Sequence, residues 1–282
     1  MNIVHYHHST FFISLNDTLL VFDPFKLAPD RLLELLTAKI LQPMYDKILI
    51  FISHPHFDHL SGQDLQLVLN HIQHSRLDFI YPKSIHKDLL AQLVNLQIVV
   101  QESALLNFAS ENAASEKSSP QMHPTDFENT LKLELADTNL SIKTVPAYNI
   151  DKINPSTGQP YHPKEKNWAG FLIDFGNDFE AYVYAKYFAV YQGPFQSDEK
   201  SESVKIVVKS VYFAGDSDFT SEMQKLRNFT DLAVLPVSGT YVMTWQEARQ
   251  AVQAIQPKYA IPMHYGVIVG SDADAKAFVE EH

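Results

Sequence analysis

The chain of 282 residues contains no cysteine. Disulfide frameworks, thiolate zinc sites and a cysteine nucleophile are therefore excluded, so any metal must be held by nitrogen and oxygen ligands. No window approaches the roughly 18 uncharged apolar residues that a membrane-spanning helix needs. The N-terminus also lacks a basic segment ahead of an apolar run. We therefore expect a cytoplasmic protein with no membrane partner.

Positive charge is scarce as well, because 22 Lys and Arg residues face 33 Asp and Glu residues, which gives a net charge of −11. Such a chain repels nucleic acid at long range, so we expect no nucleic-acid partner and a small-molecule substrate. The hydrophobic fraction of 45% is that of a globular protein with a sizeable core. We expect a single domain over residues 1–282, with polar loops near 109–126 and 192–203.

Apolar runs of strand length alternate with helical patterns along the chain. Three short runs at the start predict a meander, and residues 47–53 form a continuous apolar run typical of a strand covered on both faces. Helical patterns occupy residues 63–73, 84–95 and 245–255, and further strand patterns include residues 97–100. This alternation predicts an α/β fold.

Metal-ligand side chains cluster where the apolar run 47–53 ends. Four of them fall within six positions, namely His54, His56, Asp58 and His59. In an extended segment the first two project to the same side, whereas Asp58 and His59 begin the next turn and can face a second ion. A loop after a strand is where α/β sites form. The alternative is a chance cluster on a surface loop, since the chain has 13 histidines.

The pattern His-X-His-X-Asp-His after an apolar strand resembles the signature of the metallo-β-lactamase superfamily. Two later segments are similar to further motifs of that superfamily, Phe213-Ala-Gly-Asp216 and Ile261-Pro-Met-His264. With Asp23-Pro24 as an early strand end, the resemblance covers nearly the whole chain. It implies an αββα four-layer sandwich, in which two mixed sheets lie face to face with helices outside and a metal site at one edge.

The resemblance also implies a set of ligands and a reaction. A first ion would be held by His54 and His56 and a second by Asp58, His59 and His264, with Asp216 bridging them. One or two ions of zinc or manganese, or alternatively iron, suit such ligands. A metal-bound hydroxide would cleave an ester, lactone or phosphodiester bond in a small substrate. We expect Asp58, His264 and His8 to be the catalytic side chains.

The chain departs from the superfamily pattern at Asn149, where many members have a third histidine for the first ion. We interpret Asn149 as a weak ligand through its amide oxygen, and His162 as the alternative donor. The string Ala-Tyr-Asn ending at Asn149, followed by His162-Pro and Gly170, resembles a subgroup of uncharacterised hydrolases related to sugar-phosphate lactonases. That relation implies small substrates.

Several other side chains are candidates for supporting roles. His8 falls where the relatives have a histidine near the metals, and Asp23 is expected to orient a ligating imidazole from behind. Thr244 is expected to cap the helix that begins at Trp245. Asp218 has the same two interpretations as Asp23, to orient a ligating histidine or to bind metal itself. The remaining candidates, each with an alternative as a packing or surface residue, are His7, Lys164, Lys166, Tyr241 and Tyr265.

Two other functions stay open at this point. A nuclease of the same fold would need a basic surface, and the chain has no Lys/Arg-rich block; a phospholipase would need an apolar groove, which a sequence does not exclude. A non-catalytic metal-binding or regulatory protein is the other alternative, because Asn149 in place of histidine predicts a weak first site.

Overall fold

The structure is a computed structural model that describes residues 1–95, 121–125, 130–135, 138–192, 196–198 and 203–280. Within these ranges the strands are β1 (Asn2–His7), β2 (Thr10–Leu15), β3 (Thr18–Phe22), β4 (Met44–Phe51), β5 (Gln73–Pro82), β6 (Gln121–Thr125), β7 (Thr130–Glu134), β8 (Asn139–Pro146), β9 (Ala169–Tyr184), β10 (Ala189–Val190), β11 (Gln196–Asp198), β12 (Ser203–Phe213), β13 (Leu232–Pro236) and β14 (Tyr259–Met263). The α-helices are α1 (Pro29–Thr37), α2 (Gly62–His71), α3 (His86–Asn95), α4 (Trp245–Ile255) and α5 (Asp272–Glu280). None of these described helices is both long and apolar enough to cross a membrane.

Short polar side chains fix where two of the helices begin. Ser61 precedes α2, and its hydroxyl accepts a hydrogen bond from the backbone N–H of Asp64. Thr244 precedes α4 and accepts from the N–H of Glu247, whose carboxylate accepts from the N–H of Thr244 in return. This reciprocal pair is a capping box, which satisfies two otherwise unpaired donors. The prediction that Thr244 caps this helix is confirmed.

Strands β1 to β6 form the first half of the sheet in chain order. The first three are antiparallel, as the predicted meander requires, and β4, β5 and β6 continue the sheet in parallel. Alternate residues of β4 face opposite sides of the sheet. Leu49 and Phe51 belong to one hydrophobic core, whereas Ile48 and Ile50 belong to a second core that also contains Leu32 of α1. The continuous apolar run of this strand is therefore explained by burial on both faces.

The second half of the sheet contains the strands that carry the later motifs. Strand β9 pairs antiparallel with β8 and β12, and β12, β13 and β14 are parallel to one another. Helix α4 connects β13 to β14 and contacts β13, and α5 contacts β14. Because β12 and β14 run in the same direction, the residues that follow them meet at one edge of the sheet.

The two halves face each other across a shared core. The ring of Phe22 lies 5.1 Å from that of Phe213, and the ring of Phe51 lies 5.3 Å from that of Phe171, centroid to centroid. The predicted αββα sandwich is confirmed, with one difference: both halves belong to one hydrogen-bonded path, since β1 pairs in parallel with β9 from Asn2–Tyr182 to Val4–Tyr184.

Strands lie within both segments that the sequence predicts as polar loops. Residues 121–125, predicted as part of a loop over 109–126, form β6, which pairs in parallel with residues 78–82 of β5. That prediction was wrong because the partner strand is distant in sequence and leaves no trace in local composition. Residues 109–120 and 126 of that predicted loop lie outside the described residues, as does the predicted strand at 97–100. Within the predicted loop 192–203, β11 pairs antiparallel with the start of β12.

A buried ion pair ties β4 to β5 far from the ligand cluster. The ammonium of Lys47 lies 2.6 Å from Oδ2 of Asp78, and both side chains are buried. His123 of β6 also contacts this carboxylate, with Nε2 at 3.2 Å. Burial by itself would raise the pKa of Asp78, but the bonds to His123 and Lys47 outweigh it and lower that pKa. The charge of Asp78 therefore contributes to stability at neutral pH, and the contribution is lost as the pH falls through its lowered pKa.

We expect Asp78→Ala to reduce the free energy of unfolding by about 3–5 kcal/mol, because it leaves the Lys47 ammonium buried without its partner. Urea denaturation at pH 7 measures this loss. Asp46→Ala, at an exposed position of β4 next to Lys47, is the control and should change stability little. Combining Lys47→Met with Asp78→Leu should recover most of the loss, and a double variant as unstable as Asp78→Ala would contradict the explanation.

Candidate metal centre

The ligand cluster of the sequence lies in the loop that joins β4 to α2. The loop leaves the strand extended through His54 and then turns, because the N–H groups of His59 and Leu60 both donate to the carbonyl of His56. This turn separates His54 and His56 from Asp58 and His59, as the spacing predicts. His54 and His59 are fully enclosed, and Asp58 is buried.

The later motifs reach the same place from the other half of the sheet. Asp216 follows β12 and His264 follows β14. Gly215 has φ of +64°, and a Cβ there would lie 3.2 Å from the Cβ of Ser53. Glycine is therefore needed both for the left-handed turn and for the close approach that brings Asp216 beside the β4 loop.

His54, His56 and His162 form the first group of side chains able to hold an ion, since one nitrogen of each lies within 4.8 Å of the others. Nε2 of His54 is 3.0 Å from Nδ1 of His56. His162 comes from the loop between β8 and β9, where an isolated bridge between Ile153 and Pro160 folds the chain back toward the sheet. Three imidazoles thus gather where the sequence indicated two.

Asn149, predicted as a metal ligand, lies behind His162 instead of beside it. Its amide oxygen accepts hydrogen bonds from the N–H of His162 at 2.8 Å and from Nδ1 of the same ring at 2.9 Å. Its amide nitrogen donates to the carbonyl of Tyr241 and to Asp218. Both ends of the amide are thus engaged, and Asn149 orients the imidazole of His162. His162, which was the alternative donor, is the residue that the structure places beside His54 and His56.

Asp218, which is also buried, holds Asn149 in place by accepting a hydrogen bond from its amide. Besides the amide of Asn149, its carboxylate accepts from the backbone N–H groups of Ile150 at 2.6 Å and Asp151 at 3.1 Å. It therefore fixes the start of the loop that returns to His162. Sequence reasoning missed this chain of contacts because its members are up to 69 residues apart.

The second group consists of His8, Asp58, His59 and His264. Oδ2 of Asp58 lies 3.0 Å from Nε2 of His8, 3.7 Å from Nε2 of His59 and 3.8 Å from Nε2 of His264. His8 lies in the turn between β1 and β2 with φ of +49°, and its carbonyl accepts a hydrogen bond from the N–H of His264. The β1–β2 turn is thus attached directly to the end of β14.

Asp216 lies between the two groups. Its Oδ2 is 3.3 Å from Nε2 of His162 and 3.0 Å from Nε2 of His264, and its Oδ1 is 3.3 Å from Nε2 of His59. His54 approaches the same carboxylate at 3.9 Å. One side chain therefore faces imidazoles of both groups, which is the position of a bridging carboxylate.

Hydrogen bonds on the far side of the rings turn three imidazoles toward this carboxylate. Nδ1 of His59 bonds to Asp23 at 2.7 Å, and Nδ1 of His54 and of His264 contact the hydroxyls of Ser53 and Ser238 at 3.0 and 3.1 Å. The Nε2 atoms are left facing inward. Such outer contacts fix the tautomer and direction of a ligating histidine.

Four buried atoms at the centre make no hydrogen bond of good geometry among the described residues, namely Nε2 of His59, His162 and His264, and Oδ1 of Asp216. The three nitrogens nevertheless lie within 3.0–3.3 Å of an oxygen of Asp216, so the atoms converge on one point. Nitrogen and carboxylate oxygen atoms that converge in this way are the donor set of a divalent transition metal. The residues present therefore fit the ions that the sequence predicts.

Burial and charge divide these side chains by protonation state. Burial lowers the pKa of His54 well below its ordinary value and that of His56 to about 4, so both are neutral at pH 7. Burial would also lower the pKa of His59, but the carboxylates of Asp216, Asp58 and Asp23 outweigh it and raise that pKa well above 6.5. Without metal, His59 is therefore an imidazolium next to these three carboxylates.

The other candidates of the sequence analysis lie outside the two groups. The ring of His7 bonds to the carbonyl of Lys26, and Tyr265 packs edge-on against His5. Three further candidates also lie elsewhere. Tyr241 packs edge-on against Tyr161, Lys164 forms an ion pair with Glu222, and Lys166 is exposed in a one-turn 3-10 helix.

Trp168 is a residue of the site that the sequence analysis did not identify. Its ring lies 5.1, 4.9 and 5.6 Å from those of His54, His56 and His162, centroid to centroid. It therefore forms an apolar wall against all three imidazoles of the first group. No motif surrounds it, because its role depends on where β9 begins relative to the β4 loop.

Comparison with known proteins agrees with this architecture. A family model described as a β-lactamase superfamily domain matches residues 204–264, the segment that contains Asp216 and His264. A UPF0173 metal-dependent hydrolase of Staphylothermus marinus is 37% identical over 97 residues, which are 32% of this chain and 42% of that protein. The matched segment thus spans less than half the length of this relative.

Solved structures resemble the chain over nearly its whole length. A metallo hydrolase from the archaeon Ignicoccus hospitalis has a TM-score of 0.57 at 19% identity, and the match covers 99% of this chain and 90% of that one. A metallo-β-lactamase fold protein from Bacillus subtilis has a TM-score of 0.51 at 13% identity, with coverage of 98% and 85%. The chain has the metallo-β-lactamase fold.

We expect metal binding at pH 7 to release about one proton, because the imidazolium of His59 must be deprotonated before it can bind an ion. The other imidazoles with lowered pKa, His54 and His56, are already neutral and release none. Affinity should therefore weaken as the pH falls. Zinc titration of metal-free protein by calorimetry, in two buffers of different ionisation enthalpy, measures the release. A buffer-independent enthalpy would show that His59 is neutral.

Asn149→Ala should weaken metal binding by about 10- to 100-fold, because the ring of His162 loses the acceptor that orients it. His162→Ala should weaken it further, since a nitrogen donor is removed. Competition with a chromogenic chelator gives both affinities. Gln159→Ala, an exposed position in the same loop, is the control and should bind as the unmodified protein does. An Asn149→Ala variant with unchanged affinity would contradict the orienting role.

Proposed function

We propose that the protein is a metal-dependent hydrolase that cleaves an ester or lactone bond in a small molecule. A first divalent ion would be held by His54, His56 and His162, and a second by Asp58, His59 and His264, with Asp216 shared between them. Zinc, manganese and iron suit these donors.

The observation that carries this proposal is the convergence of buried imidazole nitrogens from three loops on the carboxylate of Asp216, without well-formed hydrogen bonds between them. Nitrogen and carboxylate donors that converge in this way are the donor set of a divalent metal ion. Further support comes from the fold and from the Staphylothermus marinus relative, which is named a metal-dependent hydrolase.

Bound divalent ions would lower the pKa of water toward neutrality and polarise the oxygen of a carbonyl or phosphoryl group. The chain's own residues orient and protect this chemistry. Trp168 shields the first group of imidazoles from solvent, and Asp23 holds the ring of His59. No serine or cysteine nucleophile is required.

His8 has a different role in this proposal, which is to hold a proton next to Asp58. Burial lowers the pKa of His8 to about 4, so the ring is neutral at pH 7 and Nε2–H donates to Oδ2 of Asp58 at 3.0 Å. This bond keeps Asp58 ionised and directed; burial alone would raise the pKa of Asp58, but His59 and His8 outweigh it and lower that pKa to about 2.

The proposal also covers the kind of substrate and the cellular compartment. The net charge of −11 supports a small substrate in preference to nucleic acid, and the lack of cysteine is consistent with the cytoplasm. The proposal includes no membrane partner, in keeping with the lack of a long apolar window in the sequence. A lactone stays among the candidate bonds because of the resemblance to sugar-phosphate lactonases. The non-catalytic alternative was based on the absence of a third imidazole, and we assign that position to His162, which lies beside His54 and His56.

The test is a pair of variants assayed for metal and for turnover. His56→Ala and Asp58→Ala each remove a donor from a different group, so each should reduce bound metal and lower hydrolysis by about 100-fold or more. Elemental analysis and a panel of p-nitrophenyl esters, lactones and bis-p-nitrophenyl phosphate provide the readouts. His71→Ala, outside both groups, is the control. Full metal content and unchanged turnover in both variants would overturn the proposal.

A further inference from the structure

His5 is a buried histidine of β1 that belongs to neither group of ligands. Its ring stacks on that of Phe11, its partner across β1 and β2, with the centroids 4.5 Å apart and the planes 9° apart. The ring of Tyr265 packs edge-on against it at 5.7 Å. A phenylalanine would fill such an aromatic site, so packing by itself does not explain why the side chain is an imidazole.

His5 also makes a hydrogen bond to the backbone of the second group. Its Nε2 lies 3.1 Å from the carbonyl oxygen of His8. Because a carbonyl oxygen only accepts, Nε2 carries the proton and is the donor. Burial lowers the pKa of His5 to about 3, so the ring is neutral at pH 7. A buried polar ring is costly unless it is hydrogen-bonded, and the bond to His8 is what an imidazole adds here over a phenyl ring.

The carbonyl of His8 joins two segments of the site. It accepts a second hydrogen bond from the N–H of His264 at 2.8 Å, and its two lone pairs allow both bonds at once. The backbone is left-handed at both residues, with φ of +49° at His8 and +59° at His264. Such a conformation is costly in a residue other than glycine and persists only where surrounding contacts hold it. His5 therefore bonds to the point at which two left-handed turns meet.

The side chains that leave these two turns face the carboxylates of the site. Nε2 of His8 lies 3.0 Å from Oδ2 of Asp58, and Nε2 of His264 lies 3.0 Å from Oδ2 of Asp216. The two rings are themselves 4.2 Å apart, centroid to centroid. A rotation of the His8 peptide would therefore move both rings away from their carboxylates.

We propose that His5 is a positioning residue, which holds the carbonyl of His8 and thereby keeps the rings of His8 and His264 against their carboxylates. It acts through the backbone, since its ring nitrogen bonds to a carbonyl and not to a donor atom of either group. Loss of an outer contact of this kind weakens metal binding or activity by about 10-fold or more. The effect on turnover rests on the proposed function, whereas the effects on ring position and on metal affinity do not.

Two substitutions separate the hydrogen bond from the aromatic packing. His5→Phe keeps the ring and removes the donor, whereas His5→Gln keeps an N–H donor at a similar reach and removes the ring. We expect His5→Phe to weaken zinc binding about 10-fold and to lower kcat about 10-fold, with KM little changed, on the best substrate of the panel. His5→Gln should stay within about threefold of the unmodified protein in both measurements. It should nevertheless be the less stable variant in urea denaturation, because aromatic packing is lost.

His74→Phe is the matched control, because it also exchanges a carbonyl-bonded histidine for phenylalanine. His74 lies beside Tyr45 at the other end of the parallel strands, and its Nδ1 bonds to the carbonyl of Ile72. This variant should therefore bind zinc and turn over substrate as the unmodified protein does. Competition with a chromogenic chelator and steady-state kinetics give these values.

Nuclear magnetic resonance measures the position of the His8 ring without metal or turnover. In metal-free protein with isotope-labelled histidine, the Nε2–H proton of His8 that is donated to Asp58 should give a resonance at a hydrogen-bonded shift. We expect His5→Phe to displace or abolish this resonance and His5→Gln to retain it. Unchanged zinc affinity in His5→Phe, or an unchanged His8 resonance, would overturn the inference and leave the hydrolase proposal intact.

Greater impairment of His5→Gln than of His5→Phe would contradict the inference as well, because ring packing and not the hydrogen bond would then hold the turn. If the unmodified protein hydrolysed no substrate of the panel, the proposed function would fail. The zinc affinities and the His8 resonance would still decide the role of His5.

Discussion

The carboxylate of Asp216, buried among imidazoles from both halves of the sheet, is the constraint on which the rest of the site depends. It contacts His59 from the β4 loop, His162 from the β8–β9 loop and His264 from the end of β14. Without it, His162 would have no carboxylate among its described contacts, and His59 and His264 would each lose one of theirs. Its own ionised form is retained because these rings, against the cost of burial, hold the pKa of Asp216 well below its ordinary value.

The fold brings imidazoles from both halves of the sheet to this carboxylate. Parallel strands in each half end at the same edge, and the two halves meet where Gly215 lies against Ser53. Left-handed backbone at His8 and His264 turns the chain sharply at two residues of the second group. Such conformations cost energy in non-glycine residues and persist where the surrounding contacts demand them. Here the contacts in question are those that bring the side chains of the two groups together around Asp216.

Behind the ligands lies a layer of residues that orient them, and it differs between the groups. His59 is held by a buried carboxylate, Asp23, whereas His162 is held by a neutral amide, Asn149, which is in turn held by Asp218. The carboxylates of Asp216, Asp58 and Asp23 together raise the pKa of His59. The two groups therefore differ in the charge of the residue that orients an imidazole from behind.

The sequence by itself indicated the meander, the doubly buried β4 and the candidate ligands His54, His56, Asp58 and His59, because periodicity and short spacing are local properties of a chain, and its resemblance to a known superfamily implied the sandwich. Only the tertiary structure placed His162 beside His54 and His56 with Asn149 behind it, paired residues 121–125 as a strand and set Trp168 against the three rings. Each of these depends on partners tens of residues away. A hydrogen bond across that distance is set by how loops and strands pack, which no local pattern encodes.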